Sequence, residues 1–287
     1  MTTLQESFAA LLVDEHLNDS QMLQNYAAVY LPLAEQLVQW QQQLGQCVIG
    51  INGAQGSGKS TLCKILALLL QQGFAKSVVV LSLDDFYLTK AQRNLLAESV
   101  HPLLQTRGVP GTHDVMLAMQ VLTALKSGTA IRLPRFDKSR DDRVAESYWP
   151  FIDLEFRDRP VDIILFEGWC VAAQPQPTDQ LQQPVNRLEA EEDTQMIWRS
   201  YVNQQLTTPY QTLFAQLDKL IMLQVPSFEY VYRWRESQER CLPKGMNAQQ
   251  LQRFILHYER LTKYMLQEMP ARADKVLVLG EDHQIVV

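Results

Sequence analysis

The chain has 287 residues, room for one large α/β domain or two small ones, and its 46 % apolar and 20 % charged residues describe a globular protein with a core. A net charge of −6 argues against a broad nucleic-acid or anionic-membrane surface and leaves room only for a local basic pocket. The opening MTTLQESFAALLVDEHL lacks the pattern of a signal peptide, and even the longest apolar runs, Ile65 to Leu70 among them, are far shorter than a membrane span. With Cys47, Cys63, Cys170 and Cys241 scattered and no CxxC spacing, neither a zinc site nor a disulfide framework is signalled, and a cytoplasmic setting is expected.

Residues 4 to about 44 read as helices, with apolar positions recurring at Leu11, Leu12, Leu23, Tyr26 and Val29. Pro32 opens the second helix, since proline is tolerated in a first turn and not in a helix interior. A helical cap, residues 1–45, is expected to pack on a second unit, residues 46–287. From Cys47 the pattern changes. CVIGIN is a short apolar strand, followed by a glycine loop and the helix KSTLCKILALLLQQ, closed by Gly73. SVVVLSL is a second buried strand, and HDVMLAMQVLTALKSG a helix with a glycine stop, before which Asp114 is placed to cap. A strand AIRL comes next, then the buried strands VDIILFEG and DKLIMLQV, with DKVLVLG last. Apolar runs without alternation, separated by helices, imply a parallel sheet covered on both faces, here of about five strands in a three-layer α/β fold. AAQPQPTDQLQQP is expected to be irregular surface chain, and the acidic EAEED after it a solvated face or helix start.

The loop between first strand and first core helix reads Gly53, Ala54, Gln55, Gly56, Ser57, Gly58, Lys59, Ser60, Thr61, and contains the pattern G-x-x-x-x-G-K-[ST]. Glycines let successive N–H groups converge on phosphate oxygens, aided by the positive end of the following helix. Lys59 is placed to neutralise the β and γ phosphates and Ser60 to put its hydroxyl on Mg²⁺, which implies ATP with magnesium. No Asn-Lys-x-Asp guanine reader occurs, which argues against a GTPase. A motor ATPase usually ends its diagnostic strand in an acidic pair, whereas IILFEGW ends in Glu167 and glycine. Glu167 lies at the carboxyl end of a buried strand, where open α/β sheets bind ligands, and is a candidate for holding Mg²⁺.

VVVLSLDDFYLT sends Asp84 and Asp85 out of the second strand. Phosphoryl transfer to an alcohol needs a carboxylate that orients the hydroxyl and accepts its proton. TRGVPGTHD places Arg107 and His113 on a glycine-containing loop, where an arginine suits a carboxylate or phosphate; His113 stands evenly between ligand contact and ordinary polar residue.

GAQGSGKST, SLDDFY, RGVPGTHD, PRFDKSRDDR, FEGW and VYRWR follow one another in the order seen in phosphate-loop kinases of small metabolites such as uridine, pantothenate and phosphoribulose. From Cys47 to Leu279 the chain most resembles the D-glycerate 3-kinase family with its uncharacterised bacterial and fungal relatives. By similarity to the Asp-Ser-Phe-Tyr segment of uridine kinase, Asp84 matches the catalytic base and Asp85 its neighbour, a further candidate for Mg²⁺. The resemblance also implies that Arg135 and Lys138, in PRFDKSRDDR, contact the acceptor. VYRWR then belongs to a lid, in which Arg233 or Arg235 stabilises charge on the moving phosphoryl group. Two arginines at i and i+2 point to different helix faces, so one of the pair is expected to act. The plant glycerate kinases carry a longer, glycine-containing insertion where this chain has only KSRDDR. The likeness therefore transfers the reaction type further than the substrate name. AQQLQRFILHYERLTKYMLQEM is an amphipathic helix expected to serve packing.

The expected protein is thus a P-loop NTPase-fold kinase acting on a small, hydroxylated, anionic molecule, as monomer or homodimer, with no nucleic-acid or membrane partner. The rivals are a nucleotide-binding regulatory protein with little transfer activity, a uridine- or pantothenate-type kinase and, more distantly, a motor.

Overall fold

The computed structural model describes residues 3–15, 20–152, 161–240 and 246–286. Helices α1 (Leu4–Asp14), α2 (Ser20–Asn25) and α3 (Leu31–Leu44) lead into strand β1 (Cys47–Gly53). After the glycine loop come α4 (Lys59–Leu68), β2 (Val78–Ser82), α5 (Lys90–Ser99) and α6 (Val115–Ser127). Four two-residue strands follow: β3 (Ile131–Arg132), β4 (Phe136–Asp137), β5 (Asp142–Arg143) and β6 (Phe151–Ile152). The chain then runs through β7 (Ile163–Gly168), α7 (Arg187–Glu192), α8 (Ile197–Thr207), α9 (Pro209–Phe214) and β8 (Lys219–Gln224). It finishes with α10 (Phe228–Arg240), α11 (Ala248–Glu268) and β9 (Lys275–Val278).

One five-stranded sheet, ordered β2-β7-β1-β8-β9 and parallel throughout, carries the core. Apart from the edge strand β9, where Lys275 and Val278 are exposed, its runs contain no polar alternation because both faces are covered, yet the pleat still divides them. Cys47, Ile49 and Ile51 of β1 enter one apolar cluster with Leu12, Leu37 and Leu66 from α1, α3 and α4. Val48 enters the other, with Val121 of α6, Leu213 of α9 and Met265 of α11. Ile163 and Leu165 of β7 divide from Ile164 and Phe166 in the same way. The amino-terminal helices therefore share an uninterrupted buried cluster with the sheet. Among the described residues no helix is long and apolar enough to cross a membrane.

Local signals act as the residue types require. Asp114 caps α6 by accepting from the Leu117 amide at 3.1 Å, and Gly128 ends that helix in the left-handed conformation. Pro32 lies in the first turn of α3. The helix after the loop is α-helical only to Leu68 and finishes as one π turn, Leu69–Gly73.

Two expectations are corrected. Only Ile131 and Arg132 of AIRL form a strand, and they pair antiparallel with Ile152 and Phe151 outside the main sheet. The acidic run does lie in a helix, α7, with Glu191 and Glu192 exposed, but it is not solvated throughout. Glu189 and Asp193 are each 1 % exposed. Glu189 accepts from Arg260 Nε at 2.7 Å and Nη2 at 2.6 Å, and Asp193 pairs with Arg199 Nη1 at 2.8 Å. Buried carboxylates persist only when paired in this way, and these pairs clamp α7 and α8 against α11 and the 172–184 segment. That segment is irregular apart from one turn at Thr178–Leu181, as expected. Cys47, Cys63 and Cys170 are buried free thiols; Cys241 lies outside the described residues.

Candidate active site

Strand order brings the site together. Placing β7 between β2 and β1 sets three carboxyl ends side by side, with Ser82 opposite Glu167 and Asn52 opposite Gly168. Buried Asn52 donates through Nδ2 to the carbonyls of Trp169 at 2.8 Å and Val171 at 2.9 Å, pinning the turn that follows Glu167. The glycine loop joins β1 to α4. Gly58 precedes the helix at φ +86°, a left-handed conformation that a side chain disfavours. A Cβ on Gly53 would stand 2.6 Å from Ser57 Oγ, so the loop closes on itself only with glycine there.

A cleft of about 260 Å³ lies over these strand ends. The loop contributes Gln55, Gly56, Gly58, Lys59, Ser60 and Thr61; the strand ends contribute Asp84 and Glu167. Tyr87, Arg107, Lys138, Trp169, Arg235, Phe254 and Tyr258 complete the lining. A more open cleft of about 580 Å³ adjoins it across Ser60, Asp84, Lys138 and Glu167, and takes in Asp85 and Arg135.

The paired acids face different partners. Asp84 accepts from Tyr87 Oη at 2.8 Å and from Lys138 Nζ at 2.6 Å. Burial pushes its pKa up, but Lys138, the Tyr87 hydroxyl and Lys59 together outweigh that and hold the carboxyl well below the usual range. Asp85 accepts from Arg135 Nη1 and from the Phe136 amide, both at 3.1 Å, and burial raises its pKa despite these contacts. In this arrangement Asp85 ties the PRFDKSRDDR loop to the end of β2. Lys59 donates to the Ala54 carbonyl at 3.1 Å. Burial lowers its pKa, against the attraction of Glu167 and Asp84.

Arg107 pairs with Asp141 and lies 5.4 Å from the Phe136 ring centroid, while its own carbonyl accepts from Tyr258 Oη at 2.8 Å. His113 is 6 % exposed and sits behind the cleft. Its ring stacks on Tyr87 at 4.5 Å, its Nδ1 lies 2.6 Å from Tyr210 Oη, and burial pushes its pKa down to about 4. It therefore reaches the cleft only through Tyr87. The two arginines of α10 diverge: Arg235 lines the cleft, whereas Arg233 is exposed and lies 5.1 Å over the Tyr230 ring.

The aromatic side of the cleft was not read from the sequence. Tyr87 and Trp169 stand inside the SLDDFY and FEGW motifs, next to the acids that drew attention. Phe254 and Tyr258 sit at i and i+4 on α11, a spacing that reads equally as core. That helix packs, as expected, and also walls the site.

The residues present suit a triphosphate and a hard cation. Ser57 keeps its hydroxyl buried with no protein partner among the described residues, a donor that a phosphate oxygen can satisfy. Ser60 Oγ donates to Glu167 Oε1 at 3.0 Å, putting a hydroxyl and a carboxylate at the mouth of the loop. Among the described residues there is no cluster of three or more His, Cys, Asp or Glu able to hold a metal alone. Magnesium bound through one or two protein oxygens plus phosphates and water needs no such cluster.

A glycine loop of this sequence, set between the middle strand of a five-stranded parallel sheet and its helix, defines a P-loop nucleotide-binding protein. Comparison with models of known protein families gives no match. The chain is 37 % identical over 224 residues to an uncharacterised kinase of Schizosaccharomyces pombe, covering 74 % of this chain and 78 % of that protein. It is 31 % identical over 257 residues to the chloroplastic D-glycerate 3-kinase of Arabidopsis thaliana, covering 83 % of this chain. That match spans 53 % of the plant protein, about half its length. Among solved structures, the D-glycerate 3-kinase of Cryptococcus neoformans matches with a TM-score of 0.72 at 27 % identity, covering 93 % of this chain and 98 % of that one. The chain belongs to the family of P-loop small-molecule kinases that includes D-glycerate 3-kinase and the uncharacterised fungal kinases.

Proposed function

We propose that the protein transfers the γ-phosphate of ATP to a hydroxyl of a small anionic metabolite, a glycerate-like hydroxy acid. The observation that carries this reading is Asp84. A carboxylate held in its charged form stands in the same cleft as Lys59 and the phosphate loop. There it accepts the hydrogen bond of the acceptor hydroxyl and aims that oxygen at the phosphorus in line with the leaving group. Its low basicity suits a loose transfer, in which the hydroxyl proton moves late. Tyr87 keeps the carboxylate oriented, and Lys138, bonded to Asp84 at the cleft wall, is placed to meet the charge of the acceptor. Lys59 binds the β and γ phosphates, while Arg235 meets charge that spreads over the phosphoryl group. Mg²⁺, held through Ser60 and Glu167, supplies neutralisation of the phosphate charge when bound.

Charge and room support this acceptor class. Arg107, Lys138 and Arg235 surround a cleft at the small end of ligand sites, which favours a compact anion over an uncharged nucleoside or the longer pantothenate. The nucleotide base has a separate place. A cleft of about 310 Å³ shares Gly56, Gly58 and Thr61 with the first and is lined by Tyr30, Leu62, Ile65, Leu279 and Ile285. Met22 and Tyr30 bring the amino-terminal helices into its wall, which supports reading residues 1–45 as a cap on the kinase unit 46–287. The test is coupled ADP release by purified protein with glycerate, other hydroxy acids, uridine and pantothenate. Release with glycerate or a like acid is expected; release with uridine or pantothenate alone would overturn the acceptor class.

A further inference from the structure

Arg235 has a neighbour with a different task. Trp234 leaves α10 one position earlier, about 100° around the helix, and is buried in the apolar cluster that also takes residues of α1, α3 and α4. Its indole donates through Nε1 to the Glu281 carbonyl at 3.2 Å, and its ring centroid lies 3.9 Å from that of His283. Both partners belong to a tight carboxyl-terminal hairpin. Leu279 bridges Ile285, the Val286 amide donates to the Val278 carbonyl at 2.8 Å, and the Gly280 amide donates to the Gln284 carbonyl at 2.8 Å. His283 takes φ +68° at its tip. The same hairpin walls the cleft assigned above to the base, through Leu279, Asp282, His283, Gln284 and Ile285; a contact of His283 with the base itself would bear on ADP and the ATP analogue alike. It is tied to the sheet by the Leu279 amide, which donates to the Gln224 carbonyl at 2.9 Å.

We infer that Trp234 is a positioning residue for Arg235: it mounts α10 on the 279–286 hairpin, so that the hairpin facing the nucleotide base determines where the lid arginine stands. Consecutive residues of one helix thereby connect the base cleft with the transfer cleft. A nucleotide base that settles the hairpin also settles the guanidinium one residue beyond the indole. The inference rests on the reading of Arg235 as the phosphate-facing lid residue, and its test separates the two.

The measurement is calorimetric titration of Mg²⁺ with ADP and with the imido analogue of ATP, which needs no acceptor. Arg235→Ala is expected to reduce the preference for the triphosphate by about ten-fold, the scale of one charge-assisted hydrogen bond. Trp234→Phe keeps the apolar burial but loses the indole N–H, and His283→Asn removes the ring while tolerating the positive φ. Each is expected to lower the preference by about three-fold or more, and to add nothing in an Arg235→Ala background. Thermal midpoints followed by circular dichroism show whether each variant folds. If Arg235→Ala lowers the preference while both hairpin-side variants leave it intact, the positioning role is overturned and the lid reading stands. Equal losses with and without Arg235 would also overturn it, since Trp234 would then act by another route. An unchanged preference in Arg235→Ala would overturn the lid reading and this inference with it.

Discussion

Asp84→Asn probes the proposed chemistry with the least disturbance of shape. Asparagine still accepts the Tyr87 hydroxyl, now 2.8 Å from Oδ1, and fills the same space. What disappears is the charge that draws Lys138 to 2.6 Å and the capacity to take up a proton. Positioned general-base catalysis contributes roughly 10²–10⁴-fold, equivalent to about 3–5 kcal/mol of barrier. The expected loss lies in kcat, because the contacts to phosphate come from the loop and Lys59. The pH profile adds an independent check. A carboxyl held well below its ordinary value stays ionised through the neutral range, so no acidic limb belonging to Asp84 is expected above about pH 4. Titration of Mg·ATP binding beside coupled ADP release with the identified acceptor separates the steps. Wild-type turnover by Asp84→Asn would refute the assignment of the base. Loss of nucleotide affinity equal to the loss of turnover would move Asp84 into the phosphate and cation site instead.

Lys59→Ala is expected to abolish Mg·ATP turnover while the thermal midpoint stays near wild type, since the lysine donates to a loop carbonyl and to no other group among the described residues; retained turnover would mean the loop is not the nucleotide site. Asp85→Asn should raise the acceptor KM more than it lowers kcat, because Asp85 holds Arg135 and the Phe136 amide; steady-state kinetics over acceptor concentration reads the split. Glu189→Gln leaves Arg260 buried without its counter-charge and should destabilise the fold by about 3–5 kcal/mol in urea unfolding, an outcome incompatible with an exposed acidic run. Burial holds His113 and His257 at pKa values of about 4 against 6.5 when unfolded. The unfolded chain therefore binds more protons between those values, and stability should fall as pH drops from about 6.5 to about 4. Urea midpoints across that range measure the decline, and His257→Gln should flatten it.

Why some of this was legible from residue order is a matter of range. The strands announced themselves because a parallel sheet covered on both faces needs largely uninterrupted apolar runs, and β1 and β2 lead into the glycine loop and the acidic pair while β7 ends in Glu167 and Gly168. The loop and the acids at Asp84 and Glu167 were visible for the same reason: a glycine or a carboxylate directly after a buried run has few other uses. What escaped depends on partners far along the chain. Glu189 looks like any solvated acid until Arg260, brought up by α11, covers it. Asp84 and Asp85 are told apart in the sequence only by resemblance, and in the fold by Lys138 and Arg135, which claim one each. The divergence of Arg233 and Arg235 did follow from helical spacing, but which of them turns inward is decided by where α10 packs.

The position of β1 also sets the timing of assembly. Its neighbours in the sheet are β7 and β8, with Ile49 opposite both Leu165 and Lys219, while β2, the next strand in the chain, sits beyond β7. A chain emerging amino-terminus first therefore holds its phosphate loop with both flanking strands still unmade. Such long-range pairing folds slowly, and an unpaired central strand is exposed to wrong partners meanwhile. Neither the loop nor the acids can approach their working geometry piecemeal. Nucleotide binding during refolding should consequently return only when β7 and β8 have closed on β1, in step with the last gain of sheet structure rather than with the earlier appearance of helix.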